Sequence, residues 1–162
     1  MKNTTTLVIV DVQPGFETAK HAVAGVLHQI KLAKRRKAGI IVVEYDIGEY
    51  GASLPEVRKE IGSYRNVVYT EKCNDDGSME IIDAGETARF NLRKIRFCGV
   101  NALYCVHDSI FGFLRMQKES KVEVAFDACF CDSAIGKKNF RKVKEMWKRI
   151  YEQNEGNLKI ID

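Results

Sequence analysis

Proline occurs twice in these 162 residues, tryptophan once and histidine three times, and no apolar run approaches the length of a membrane span. With so little proline, and with no low-complexity tract or internal repeat, nothing marks a linker between domains. The expectation is one globular domain over residues 1–162, with enough hydrophobic content (45%) for a full core. The apolar stretch near the N-terminus breaks at Asp11, too short for a signal h-region, so the expected compartment is the cytoplasm, with no membrane partner. Cysteine is odd in number, five, and without a secretory signal these read as reduced thiols rather than a disulfide framework. Cys73, Cys98, Cys129 and Cys131 are expected to pack structurally. Cys129-x-Cys131 with His107 lacks the paired Cys-x-x-Cys spacing of a structural zinc site, so no metal is expected.

Charge is plentiful and leans positive, +4 at neutral pH. Seven basic residues face a single Glu145 between Lys137 and Arg149, a cationic helix face that is either solvated or able to approach phosphates. It has no interleaved aromatic platform, since Phe140 and Trp147 share the apolar stripe, so nucleic acid is not an expected partner beyond a surface role.

Apolar patterning alternates between strand and helix throughout. Strands are predicted near 6–11, 40–45, 66–70, 94–99, 121–126 and 158–161. Val23, Val26, Leu27, Ile30 and Ala33 mark one face of a first helix, ended by the basic run Lys34 to Lys37 and Ala38-Gly39. Leu54 to Ile61 reads as a short second helix, and residues 79–92 are ambiguous because Gly85 interrupts them. Phe140, Val143, Trp147 and Ile150 predict a last long helix. The fold class is α/β, a three-layer Rossmann-like arrangement with a mainly parallel six-stranded sheet covered by helices on both faces.

Chemistry-bearing residues fall at the ends of three of these strands. Phe97 to Ser109, FCGVNALYCVHDS, runs a strand through a Gly-led turn and delivers Cys105 to the first turn of an amphipathic helix, where the dipole and unpaired N–H groups lower a thiol's pKa. Leu7 to Val10 is an all-apolar central strand ending at Asp11, and open α/β sheets place ligands outside such carboxyl ends. Asn66 to Cys73 is another strand that ends in Lys72, before the turn-rich Asn74 to Ser78. Each residue also has a plain alternative: Asp11 as a loop cap, Lys72 as a solvated cation, Cys105 as a buried small hydrophobe.

The ordered set LVIVDVQPGF, YTEKCNDDGS, CGVNALYCVHDS and VEVAFDAC resembles the isochorismatase-like cysteine hydrolases over nearly the whole chain. The resemblance implies a catalytic triad of Asp11, Lys72 and Cys105, a cis peptide between Val100 and Asn101, and an oxyanion hole formed by the N–H groups of Asn101 and Cys105. It implies hydrolysis of a small amide, ureido or carbamoyl compound through a thioester, with no cofactor. Nicotinamidases of that family add a metal site from an Asp-x-His element; here the matching stretch is Asp46-Ile47-Gly48, with no histidine between His28 and His107. Nicotinamide is therefore disfavoured. Isochorismate is disfavoured too, since relatives that cleave its vinyl ether lack the cysteine.

Two departures accompany the resemblance: Ala102 stands where many relatives carry Thr, and the short chain trims the segments that shape the pocket. Phe16, Tyr45, Tyr50 and Tyr104 are the candidate pocket walls. The expected partner for such a pocket is a small-molecule substrate, and a homo-oligomer is expected, with Phe111, Gly112 and Arg115 on an outward face suited to a helix-to-helix subunit contact. The rival reading is a catalytically silent member that binds a small molecule or acts as a scaffold.

Overall fold

The computed structural model describes residues 4–130, 145, 147–149 and 157–161. Phe140, Val143 and Ile150 of the expected last helix, most of the basic run from Lys137, and Cys131 lie outside the described residues.

Six parallel strands form one sheet in the order β3-β2-β1-β4-β5-β6. They are β1 (Thr6–Val10), β2 (Ile40–Tyr45), β3 (Val67–Lys72), β4 (Lys94–Val100), β5 (Lys121–Phe130) and β6 (Leu158–Ile161). The helices are α1 (Ala19–Arg35), α2 (Ile47–Tyr50), α3 (Pro55–Ile61), α4 (Ser78–Thr87) and α5 (Cys105–Met116). Every residue of β1 is buried, as an unbroken TLVIV run must be when helices cover both faces. On one face α1 lies across β1, β4 and β5 with α3 beside it; α4 and α5 pack together against β2, β3 and β4. Val26, Ile30 and Ala33 carry the apolar stripe of α1 into the core, and a fully buried Val or Ile contributes about 1.5–3 kcal/mol.

β1 and β4 meet at the point where strand order reverses, and their contact is unusually close. Gly99 has φ 122, and a Cβ placed there would lie 2.0 Å from the Val10 carbonyl oxygen. Only glycine fits. The β4–β5 register slips between Phe97 and Gly99, which bends the strand end toward its following turn.

Several boundaries differ from expectation. β3 continues to Lys72 because Tyr45 and Lys72 remain in register and Asp46 N–H reaches the Lys72 carbonyl at 3.0 Å. β5 continues to Phe130, whose carbonyl accepts from Ala102 N–H at 2.7 Å. Gly85 does not interrupt α4; it is buried in mid-helix and lets Leu92 approach. Cys73 is exposed rather than packed, since it follows the last inward position of β3. Of the three residues assigned to a subunit contact, Gly112 is covered within the chain, Phe111 is half-buried and Arg115 is exposed. Gly112 is buried against Asp76 and Ser78, the Phe111 ring packs on His107, and Arg115 lies 3.6 Å from the Asp76 carboxylate. Among the described residues no helix is long and apolar enough to cross a membrane.

Candidate active site

Asp11 leaves β1 with φ 53, a left-handed conformation that costs a non-glycine residue about 1 kcal/mol or more. Hydrogen bonds on both sides hold that turn: Asp11 N–H donates to Val43 O at 2.9 Å, and Gln13 N–H donates to Asp11 O at 2.9 Å. The Gln13 side chain is buried and ties the turn to the end of β2, donating to Tyr45 O at 2.8 Å and accepting from Tyr45 N–H at 2.6 Å. The carboxylate is thereby fixed in a place without solvent.

Lys72, the last residue of β3, supplies the compensating charge. Its Nζ lies 3.0 Å from Asp11 Oδ2, with both side chains fully buried. The ammonium also donates to Asn74 O at 2.9 Å and Asp75 O at 3.3 Å, and sits 4.5 Å from the centre of the Tyr45 ring. A buried charge needs such a set of partners, and Lys72 has them. Among the described residues the partners of the Asp11 carboxylate are this ammonium and the Cys105 thiol. Burial lifts its carboxyl from 3.8 to about 6, against the pull of Lys72 and the Cys105 thiol and with a further push from Asp75. Gly77 leaves the room Lys72 needs, since a Cβ there would stand 2.7 Å from Lys72 Cδ.

Cys105 opens α5 and is 3% exposed. Its Sγ donates to Asp75 Oδ1 at 3.5 Å. Burial above all, then the charges of Asp11 and Asp75, hold the thiol well above its ordinary pKa, with Lys72 acting the other way. The lowered pKa expected from the helix N-terminus is corrected accordingly: lost solvation and two nearby carboxylates outweigh a partial positive charge.

The turn before Cys105 is held on every side. The Val100–Asn101 peptide is cis. Asn101 O accepts from Tyr104 N–H at 3.0 Å and Val106 N–H at 3.2 Å, while its side-chain Oδ1 accepts from Thr18 Oγ1 at 2.9 Å.

No family model and no curated protein matches the sequence. Solved structures do match. The MAR1 ribonuclease from Caenorhabditis elegans superposes with a TM-score of 0.71 at 19% identity, over 88% of this chain and 73% of that one. The nicotinamidase from Staphylococcus aureus gives 0.73 at 15% identity, over 98% and 97% of the two chains. The Bacillus subtilis nicotinamidase/pyrazinamidase gives 0.73 at 10%, over 99% and 100%. The chain has the nicotinamidase fold.

Within that fold the sequence-derived residues separate into two groups. Asp11, Lys72, Asn101 and Cys105 are buried at the carboxyl edge of the sheet. Phe16, Tyr45 and Tyr50 cluster beside Lys72, with Phe16 and Tyr50 stacked at 4.7 Å and Tyr45 edge-on to Tyr50 at 5.2 Å. Tyr104 stands apart, 49% exposed, as the residue before Cys105. The Asp46 carboxylate caps α2, accepting from Glu49 N–H at 3.2 Å. Among the described residues no three His, Cys, Asp or Glu side chains are grouped to hold a metal ion. His107 is held by Asp108 at 2.8 Å and by the rings of Phe111 and Trp147, and Cys129 is buried with its thiol pushed up to about 12.

Sequence reading missed Thr18, Asp75 and Ser109. Thr18 occupies the N-cap of α1, yet its hydroxyl bonds Asn101 instead of the helix, a partner 83 residues away with no local signal. Asp75 was legible only as part of a turn. Ser109, one helical turn beyond Cys105, accepts from Gly77 N–H at 2.9 Å and donates to Asp75 O at 3.3 Å, joining the 74–78 turn to α5.

Proposed function

We propose that this protein is a cysteine hydrolase of the isochorismatase-like family that cleaves a small amide, ureido or carbamoyl C–N bond. One observation carries the reading: a fully buried Asp11–Lys72 ion pair at 3.0 Å beside a buried thiol at a helix start. A scaffold has no use for that arrangement, because a buried ion pair is costly to desolvate and contributes little net stability.

Asp11 is the base. It takes the Cys105 proton as sulfur bonds to the substrate carbonyl carbon, and the resulting oxyanion is received by the N–H groups of Asn101 and Cys105. Collapse breaks the C–N bond, and the proton on Asp11 passes to the leaving nitrogen, which departs as an amine or ammonia. Water then gives a proton to Asp11 and attacks the thioester; sulfur leaves as thiolate and regains the proton, releasing the acid. Lys72 keeps Asp11 ionised at rest and balances the charge throughout.

A carbonyl substrate suits the site better than a phosphodiester, although three solved proteins of like fold carry the name ribonuclease. Asp11 is already paired with Lys72, which leaves the Asp75 carboxylate, 3.5 Å from Cys105 Sγ, to repel an approaching phosphate. The test is a panel of primary amides, ureido acids and carbamoyl compounds with intact-mass detection of the acyl-enzyme. Wild-type turnover and a thioester adduct on Cys105, both absent from Cys105→Ala, are the expected result. Equal turnover by wild type and Cys105→Ala would reject the mechanism.

A further inference from the structure

The Cys105 thiol faces a carboxylate that the proposed triad does not use. Asp75 Oδ1 is 3.5 Å from Sγ, and Asp75 is exposed whereas Cys105, Asp11 and Lys72 are buried, so it is the group an incoming molecule meets first. Its main chain is anchored from two elements: Asp75 O accepts from Lys72 Nζ and from Ser109 Oγ, each at 3.3 Å. Its carboxylate has no ion-pair partner among the described residues. Lys72 pairs with Asp11, and Arg115 pairs with the neighbouring Asp76.

We infer that Asp75 is a specificity-determining residue that selects substrates bearing a cationic nitrogen group, ammonium or guanidinium, close to the scissile carbonyl. The inference rests on the hydrolase reading above and adds the substrate class to it. Three further observations support it. The negative charge of Asp75 reaches Asp11, Tyr45 and Cys105 alike, raising the pKa of each. The neighbouring strand ends of β2 and β3 are acidic in a chain whose net charge is +4: Asp46 caps α2, Glu49 lies in its first turn, and Glu71 accepts from Ile47 N–H at 2.8 Å. Beside them, Phe16, Tyr45 and Tyr50 present aromatic surface, and the Tyr45 ring already accommodates the Lys72 ammonium.

Selection of this kind also serves the chemistry. Sγ lies within hydrogen-bond distance of Asp75 Oδ1, at 3.5 Å, and also interacts with the Asp11 carboxylate. A substrate cation that pairs with Asp75 takes that oxygen from the thiol, leaves the proton to Asp11, and cancels one of the two charges that oppose thiolate formation. An anionic substrate does the reverse.

The first arm of the test needs no turnover. In a Cys73→Ser background, which removes the exposed thiol, Cys105 is modified at low salt with methanethiosulfonates of matched size carrying an ammonium or a sulfonate, and the site is mapped by mass spectrometry. The ammonium reagent should react roughly tenfold faster or more, and the ratio should approach one in Asp75→Asn and return in Asp75→Glu. A wild-type ratio near one, or a ratio that Asp75→Asn leaves unchanged, would overturn the inference. The second arm compares kcat/KM for 3-aminopropanamide and butanamide. Wild type should favour the cation, and Asp75→Asn should lose the preference while still turning over the neutral amide; Asp11→Asn should lose both. If Asp75→Asn abolishes neutral-amide turnover as completely as Asp11→Asn does, Asp75 belongs to the proton transfer and the specificity assignment is wrong. If no form turns over any amide, the hydrolase reading fails while the reagent ratio still decides whether Asp75 selects for positive charge.

Discussion

At Asp11 two large effects oppose each other, and the balance sets the pH behaviour. Desolvation raises the carboxyl to about 6 despite an ammonium at 3.0 Å. The mechanism requires the ionised form, so kcat/KM for a neutral amide should fall about tenfold per pH unit below an apparent pKa near 6. An acid limb centred near 4 would contradict the enclosed setting of the carboxylate. Because the folded-state pKa is raised, Asp11 favours the folded protein below pH 3.8, and that contribution is lost as pH rises through about 6. Lys72→Met removes the one opposing charge and moves the carboxyl further up. Urea titrations should show this variant less stable by about 3 kcal/mol at pH 8, with a smaller deficit at pH 5, where Asp11 takes up a proton. Cys105→Ala, by contrast, removes a small buried thiol and should cost only about 1 kcal/mol while eliminating turnover. That Asp11, Lys72 and Cys105 share one edge of the sheet was legible in the sequence because each ends or follows an apolar strand or opens a helix. The upward shift of the Cys105 thiol was not, because it depends on two carboxylates and a burial that only the folded chain assembles.

Among the elements, the β1–β4 seam and the 74–78 turn decide whether these residues meet. Gly99→Ala places a methyl within 2.0 Å of the Val10 carbonyl oxygen at a φ of 122. Denaturant unfolding should therefore show a loss of more than about 3 kcal/mol, or no folded protein at all. Gly77→Ala acts more locally, against Lys72 Cδ at 2.7 Å, and thermal melts should register less damage than the loss of hydrolysis implies. Strand existence followed directly from the apolar runs of β1, β2 and β4. The extension of β5 to Phe130 did not, since it depends on a partner in a neighbouring turn rather than on its own composition. Gly85 misled for a related reason: its cost to an isolated helix is offset by the close approach of Leu92.

At the scale of the molecule, charge is unevenly placed. Acidic residues gather along the carboxyl edge of β1–β3 although the whole chain is basic, a contrast that net charge conceals and only the strand order reveals. The same order divides the sheet into two contiguous halves, β3-β2-β1 and β4-β5-β6, joined by the single connection between α4 and β4. Asp11 and Lys72 belong to the first half and Cys105 to the second. A break after Asn91 would give two polypeptides, 1–91 and 92–162, each holding an incomplete set of the proposed catalytic groups and each expected to be silent alone. Tethered to a pair of interacting proteins, they amount to a split reporter, whose signal appears only when the two halves are brought into register along β1 and β4.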